Sequence, residues 1–257
     1  MAKQEKITVN KILFFKKHNR KITVLTAYDY AIAKILDESN IDIVLVGDSM
    51  GNVMLGYDNT LPVTLFEMII HTQAVARGVK NSLIVADLPF GTFQKSKEEA
   101  LSSAIDLVKA GAQAVKLEGA QYADSIKAIV NAGIPVMGHL GFTPQAVNLL
   151  GYKIQGKDKL SQAKLLKDAK ALEKAGCFAI VLELIPEALA KKISKAIKIP
   201  TIGIGSGKLC DGQVLVTYDM LGIYENPPSF VKKYANIGSE IKKAVSKFRE
   251  EIAPDPD

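Results

Sequence analysis

Four short apolar runs in this chain end on an acid, and that recurrence constrains the fold more than any other feature. Val44-Leu45-Val46-Gly47 leads into Asp48, Leu83-Ile84-Val85-Ala86 into Asp87, Ala114-Val115-Lys116-Leu117 into Glu118, and Ala179-Ile180-Val181-Leu182 into Glu183. Strands buried on both faces of a parallel sheet read as near-continuous Val, Ile and Leu runs. In a barrel of such strands, the catalytic groups gather where the strands stop. The pattern therefore predicts acids delivered to one mouth, where they converge on a metal-assisted site.

The rest of the chain supplies the other strands. An amphipathic lead-in (Val9 to Lys17) precedes a strand at Ile22 to Leu25, which ends in Thr26-Ala27-Tyr28-Asp29. Further strands are predicted at Ile134 to Gly138 (ending at His139), Phe178 to Glu183, Pro200 to Ile204 and Val214 to Thr217. Thr64-Leu65-Phe66-Glu67 and Ser96-Lys97-Glu98-Glu99 have capping-box spacing and open helices. Asn52 to Val63 reads as a long loop leaving a strand mouth, a place where function concentrates. Eight strands alternating with helical periods predict an α/β fold, a single (β/α)8 TIM barrel spanning 1–257 as one domain. An extra C-terminal helix is predicted from Ser229 to Ile252. Its apolar stripe (Phe230, Tyr234, Ile237, Ile241, Val245, Phe248) must bury itself somewhere, and a neighbouring subunit would serve.

At 257 residues and 48% hydrophobic, the chain matches the usual size of one such barrel. No apolar run approaches the ~20 residues of a membrane span, and the first residues lack a signal peptide's apolar region. Cys177 and Cys210 are too few for a disulfide framework, so a cytoplasmic location is expected. The net charge of +6 is spread over helix faces (Lys164, Lys167, Lys170, Lys174; Lys191, Lys192, Lys195), without the basic and aromatic stripe of a nucleic-acid binder.

Asp48, Asp87 and Glu118 form an oxygen-only donor set of the kind hard cations such as Mg²⁺ prefer. Each acid alone reads equally well as a helix cap or a lysine partner. Lys116 and Glu118, two apart on one strand, share a face. Facing inward they are a buried ion pair able to hold a substrate carboxylate; facing outward they are a surface pair. Glu183 is the candidate general base, with a pKa expected to rise in an apolar mouth. His139 either positions a substrate group or makes a structural hydrogen bond. Gly203-Ile204-Gly205-Ser206-Gly207 reads as a phosphate-binding loop or simply as tight turns.

Taken together, Leu45-Val46-Gly47-Asp48-Ser49, Gly56-Tyr57-Asp58, Leu61-Pro62-Val63-Thr64, Ala86-Asp87-Leu88-Pro89-Phe90-Gly91, Val115-Lys116-Leu117-Glu118-Gly119, Gly138-His139-Leu140-Gly141, Gly203 to Gly207 and Asp211 to Val216 form an ordered set. With Thr26 to Asp29, these segments closely resemble the ketopantoate hydroxymethyltransferase family over nearly the whole chain. The resemblance implies hydroxymethyl transfer from 5,10-methylenetetrahydrofolate to 3-methyl-2-oxobutanoate, one Mg²⁺ per subunit, and a homo-oligomer, often a decamer. It further implies that Asp48, Asp87 and Glu118 are metal-binding acids, that Asp48, Ser49, Asp87 and Lys116 contact the 2-oxoacid, and that Glu183 is the proton acceptor. Ser206, Ala120 and Tyr218 depart from the family pattern at peripheral positions. Two other readings compete: a metal-dependent 2-oxoacid lyase of the same barrel type, and a non-catalytic barrel acting as a binding module.

Overall fold

The computed structural model describes residues 5–225 and 227–253; the ends of the expected 1–257 domain lie outside the described residues. Eight parallel strands close into a barrel in sequence order. They are β1 (Ile22–Thr26), β2 (Ile43–Val46), β3 (Leu83–Asp87), β4 (Ala114–Glu118), β5 (Val136–Gly141), β6 (Ala179–Glu183), β7 (Thr201–Ile204) and β8 (Gly212–Leu215). Registers such as Asp87 opposite Lys116 and Glu118 opposite His139 set which side chains become neighbours at the mouth.

Alternation along each strand sorts the interior. Ile22 and Val24, Ile43 and Leu45, Leu83 and Val85, Ala114, Met137, Ala179 and Val181, Ile202 and Val214 form one continuous buried cluster. Side chains two apart on a strand share a face. The inward parity therefore continues from Leu83 and Val85 to Asp87, from Ala114 to Lys116 and Glu118, from Met137 to His139, and from Val181 to Glu183. The helix Val9–Lys17 joins the same cluster through Ile12 and Phe15. Lys16 ties that helix to the strands' N-terminal side, donating to Ser194 O, Ile199 O and Asp211 Oδ2.

Local chemistry sets the helix starts. Thr64 and Glu67 form the reciprocal capping box expected for Leu65–Gly78. At Ser96 only half of the box forms. The hydroxyl accepts from Glu99 N, but the Glu99 carboxylate turns outward to Lys95, 3.2 Å away.

Four elements depart from expectation by more than one residue. The loop after β2 opens with the short helix Met50–Val53. β5 runs through His139 to Gly141 instead of stopping before the histidine. β8 begins two residues early, at Gly212. A side chain there would collide with Ile22 O of β1, 2.5 Å from an added Cβ, so the strand pair needs a residue that does not read as a strand former. The final helix is Ile237–Ile252 and does not start at Ser229. Val231 N turns back to Pro228 O, and Tyr234 N donates to Met220 O, so that stretch spends its backbone groups on loop contacts.

The chain divides into two compact units, the barrel up to Val214 and a C-terminal unit from Leu215. Within the second unit, none of the residues of Ile237–Ile252 is buried, and Ile241, Val245, Phe248 and Ile252 form an exposed apolar stripe. No helix among the described residues is long and apolar enough to cross a membrane.

Candidate active site

The inward parity of β3 to β6 brings five ionisable side chains together at the strands' C-terminal ends, and the turn after β2 adds a sixth. Asp48, Asp87, Lys116, Glu118 and His139 are each at most 5% exposed, and the Glu183 side chain is 13% exposed. Lys116 Nζ lies 2.8 Å from Asp87 Oδ1 and 3.5 Å from His139 Nδ1. The imidazole stands between two glutamates, with Nδ1 3.4 Å from Glu118 Oε1 and Nε2 3.2 Å from Glu183 Oε2. Asp48 reaches the cluster through its backbone, whose N–H donates to Asp87 Oδ2 at 3.1 Å. Its side chain accepts from Gln145 Nε2 at 2.8 Å. Ser49 stands beside it, hydrogen-bonded through Oγ to the buried Tyr28 hydroxyl at 2.9 Å.

The electrostatics follow from burial and charge count. Burial, then the nearby Asp87 and Glu118 carboxylates, push Asp48 well above the ordinary carboxylate range. Burial also raises Asp87, although Lys116 pulls against it. Burial works against the Lys116 ammonium, but Asp87, Glu118 and Asp48 outweigh it and hold the lysine more firmly protonated than usual. Burial and Lys116 both disfavour a charged His139. Its contacts with Glu118 and Glu183 prevail and raise it to about 9. The expectation that Glu183 sits in an apolar mouth is therefore revised: its carboxylate faces a cationic imidazole.

A divalent cation suits this donor set. Four carboxylates (Asp48, Asp87, Glu118, Glu183) face two cations (Lys116, His139), a formal excess of two negative charges in a nearly closed space. Asp87 Oδ1 and Glu118 Oε1 are buried and each faces one cationic neighbour, Lys116 Nζ and His139 Nδ1, so each oxygen retains a second acceptor position. Among the described residues, no three His, Cys, Asp or Glu side chains surround a common point as direct ligands would. One or two direct carboxylates with water and substrate oxygens filling the remaining positions is the usual arrangement for Mg²⁺.

Backbone conformation holds the mouth in shape. Gly141 (φ +97°) packs so closely on Glu183 O that a side chain there would collide with it. Leu184, directly after Glu183, is held in the left-handed region (φ +47°), which costs a non-glycine residue on the order of 1–2 kcal/mol. Its N–H donates to Ile204 O and its carbonyl accepts from Gln155 N. Ser206, in the glycine-rich segment, donates to Leu182 O and accepts from Ile185 N, a structural brace of the β6 end.

The family model described as ketopantoate hydroxymethyltransferase matches residues 6–255. The chain belongs to the ketopantoate hydroxymethyltransferase family. The 3-methyl-2-oxobutanoate hydroxymethyltransferase of Caldicellulosiruptor saccharolyticus is 53% identical over 250 residues, covering 96% of this chain and 95% of that protein. That of Enterococcus faecalis is 56% identical over 241 residues, covering 92% and 88%. Among solved structures, 2,3-dimethylmalate lyase, a PEP mutase/isocitrate lyase superfamily member, superposes with a TM-score of 0.66 at 14% identity, covering 97% of this chain and 90% of the other. At that identity the likeness speaks for the fold alone. The chain is thus an enzyme of hydroxymethyl transfer on a TIM barrel.

The sequence signal for the site was parity combined with strand ends, and it reached Asp48, Asp87, Lys116, Glu118 and Glu183. His139 joins them because β5 continues two residues past it. Gln145 and Gln94 escaped notice. Both lie in loops, and neither residue type stands out without the fold.

Proposed function

We propose that this mouth converts 3-methyl-2-oxobutanoate to ketopantoate, taking the one-carbon unit from 5,10-methylenetetrahydrofolate. The observation that carries this reading is the buried Asp87–Lys116–His139–Glu183 row, a fixed cation pair that ends on Glu183, more exposed than its neighbours in the row. Asp48 and Asp87, with Glu118 beside them, would hold a divalent cation such as Mg²⁺. When bound, it supplies positive charge to the oxygens of the keto acid, an effect typically amounting to several kcal/mol.

The protein's own groups do the rest. Lys116 presents its ammonium to the 2-oxoacid's oxygens and offsets the negative charge that develops there, while Ser49 contributes a hydroxyl at the rim. Glu183 takes the C3 proton, and a positioned base of this kind contributes roughly 10²–10⁴-fold in rate. His139, 3.2 Å from Glu183 Oε2, keeps that carboxylate oriented. The C3 carbanion equivalent then forms a bond to the folate-borne methylene carbon. That carbon's bonds to the folate nitrogens break, water supplies the hydroxyl oxygen, and the nitrogens regain protons as tetrahydrofolate leaves.

The test is Glu183→Gln. Deuterium exchange at C3 of 3-methyl-2-oxobutanoate should be abolished, while Mg²⁺ and oxoacid binding stay within a few-fold of wild type. Exchange at the wild-type rate would remove Glu183 from the role of base. Turnover without any folate would favour the lyase reading instead. The exposed stripe Ile241, Val245, Phe248 and Ile252 supports a homo-oligomer, and two buried free thiols suit a reducing cytoplasm.

A further inference from the structure

One buried amide ties the mouth together. Gln145, 7% exposed, lies in the turn Pro144–Ala146 after β5. Its backbone N–H donates to Glu118 Oε2 at 3.0 Å. Its Nε2 donates to Asp48 Oδ2 at 2.8 Å and to Leu88 O at 2.9 Å, and its Oε1 accepts from Gln94 Nε2 at 3.0 Å. A single residue thus spans the ends of β2, β3 and β4, with every polar atom of its amide engaged.

The orientation of that amide is set from outside the charged cluster. Gln94 Oε1 accepts from Gly91 N at 2.8 Å and Phe93 N at 3.3 Å. Backbone N–H groups cannot accept, so the carbonyl end of Gln94 must face them and its NH₂ must face Gln145. Gln145 in turn must present oxygen to Gln94 and NH₂ to Asp48. With the amide reversed, its oxygen would face Leu88 O, a carbonyl that can only accept, and the Asp48 carboxylate, which when ionised also only accepts.

We propose that Gln145, oriented by Gln94, is the positioning residue that fixes the Asp48 and Glu118 carboxylates for cation binding. This rests on the metal-site reading given above. One oxygen of each acid is held by Gln145; Asp48 Oδ1 is left for the cation and its waters, and Glu118 Oε1, 3.4 Å from His139 Nδ1, keeps a further acceptor position. Gln94 touches neither acid and acts only through the direction of the Gln145 amide.

That indirectness makes the proposal testable. Gln94→Glu keeps an acceptor for Gly91 and Phe93 but turns a carboxylate oxygen toward Gln145, favouring the reversed amide. Gln94→Leu removes the orienting bond without forcing reversal. Mn²⁺ affinity of the metal-stripped protein, read by electron paramagnetic resonance at pH 8, should fall on the order of tenfold in Gln94→Glu, the equivalent of one charge-assisted hydrogen bond. In Gln94→Leu it should fall less than threefold. In a Gln145→Leu background, Gln94→Glu and Gln94→Leu should give the same affinity as each other, because no amide remains to turn. Equal losses from the two substitutions when Gln145 is intact, or an unchanged gap between them when it is replaced, would overturn the proposal. If Gln94→Glu fails to fold, Gln145→Leu decides alone: unchanged Mn²⁺ affinity refutes the role, and a tenfold loss with a near-wild-type melting temperature supports it. A wild-type protein that binds no Mn²⁺ would instead sink the metal-site reading itself, and this inference with it.

Discussion

Removing the Lys116 charge with Lys116→Met should destabilise the metal-stripped protein by about 3–5 kcal/mol at pH 8, the usual cost of deleting one partner of a buried ion pair. The pair is well buried, with the two side chains 6% and 4% exposed and Nζ 2.8 Å from Asp87 Oδ1. Without the ammonium, the formal charge of the cluster falls from minus two to minus three. Among the described residues, Asp87 then keeps only the Asp48 N–H as a donor within hydrogen-bond reach. The loss should depend on pH, with a sign fixed by linkage. Burial already raises Asp87, and Lys116 is the main influence opposing that rise, so in the variant the folded carboxyl titrates higher still. A carboxyl whose folded pKa exceeds its unfolded value is penalised when ionised, and that penalty grows as pH climbs through the folded value. The deficit should therefore shrink as pH falls from 8 to 5.5. Lys116 itself, with a raised folded pKa, contributes stability that is lost only at alkaline pH above this window.

The assay is urea unfolding at fixed protomer concentration, since assembly would otherwise contribute to apparent stability. Adding Asp87→Asn to Lys116→Met removes the uncompensated charge and keeps an oxygen for Asp48 N–H, so the double variant should be more stable than the single one. A deficit under about 1 kcal/mol at pH 8 would refute the ion-pair account. So would a deficit that is flat with pH, or a double variant no better than Lys116→Met.

Other consequences are more direct. Mg²⁺ at a hundred times its dissociation constant should stabilise the protein by about 2.7 kcal/mol, reversed by a chelator; an unchanged unfolding midpoint would argue against a cation site. Asp37, buried at the end of Tyr30–Glu38, accepts from Lys80 N, Asn81 N and Ser82 N and from the Asn81 and Ser82 side chains. Burial alone would raise its pKa, but those donors hold it below the usual value. Its contribution is therefore present above the unfolded pKa and lost as pH falls through the folded one. Asp37→Asn should cost about 2–4 kcal/mol at pH 7 and progressively less below pH ~4, measured by unfolding across pH; a cost independent of pH would contradict the assignment. Thr64→Ala should cost about 1 kcal/mol through the lost capping box, and Glu67→Ala more, because Glu67 also accepts from the Tyr57 hydroxyl.

How much of this was legible in the sequence depends on distance along the chain. The strands announced themselves because burial on both faces demands apolar runs, and parity within a run carries an inward residue such as Val85 on to Asp87. The start of β8 is hidden because its first residue, Gly212, answers to the neighbouring backbone of β1, and its second, Gln213, is exposed and bonds Gly207 O, so neither follows a hydrophobic pattern. Helical spacing of Phe230, Tyr234 and Ile237 extends the C-terminal stripe back to Phe230 in the sequence; the loop bond from Tyr234 N to Met220 O wins over that periodicity. Gln145 reaches Asp48 across 97 residues, a contact that no local pattern encodes.

The barrel resolves a conflict between these two kinds of information. Its lower interior (Ile22, Ile43, Leu83, Ala114, Met137, Ala179 and Ile202) is apolar and locally legible. Its upper interior gathers charges that no isolated strand would bury, since an unpaired ion there costs several kcal/mol. Each becomes tolerable only through partners on other elements: Asp87 through Lys116, His139 through Glu118 and Glu183, Asp48 through Gln145 in the turn after β5. Counted formally, the charge that remains after this pairing is negative and confined to the mouth. A cluster selected for stability alone would cancel to zero, whereas one that retains an uncancelled excess beside oxygens with acceptor positions to spare is suited to a cationic guest. The negative excess, more than any single acid, is the physical trace of function in this fold.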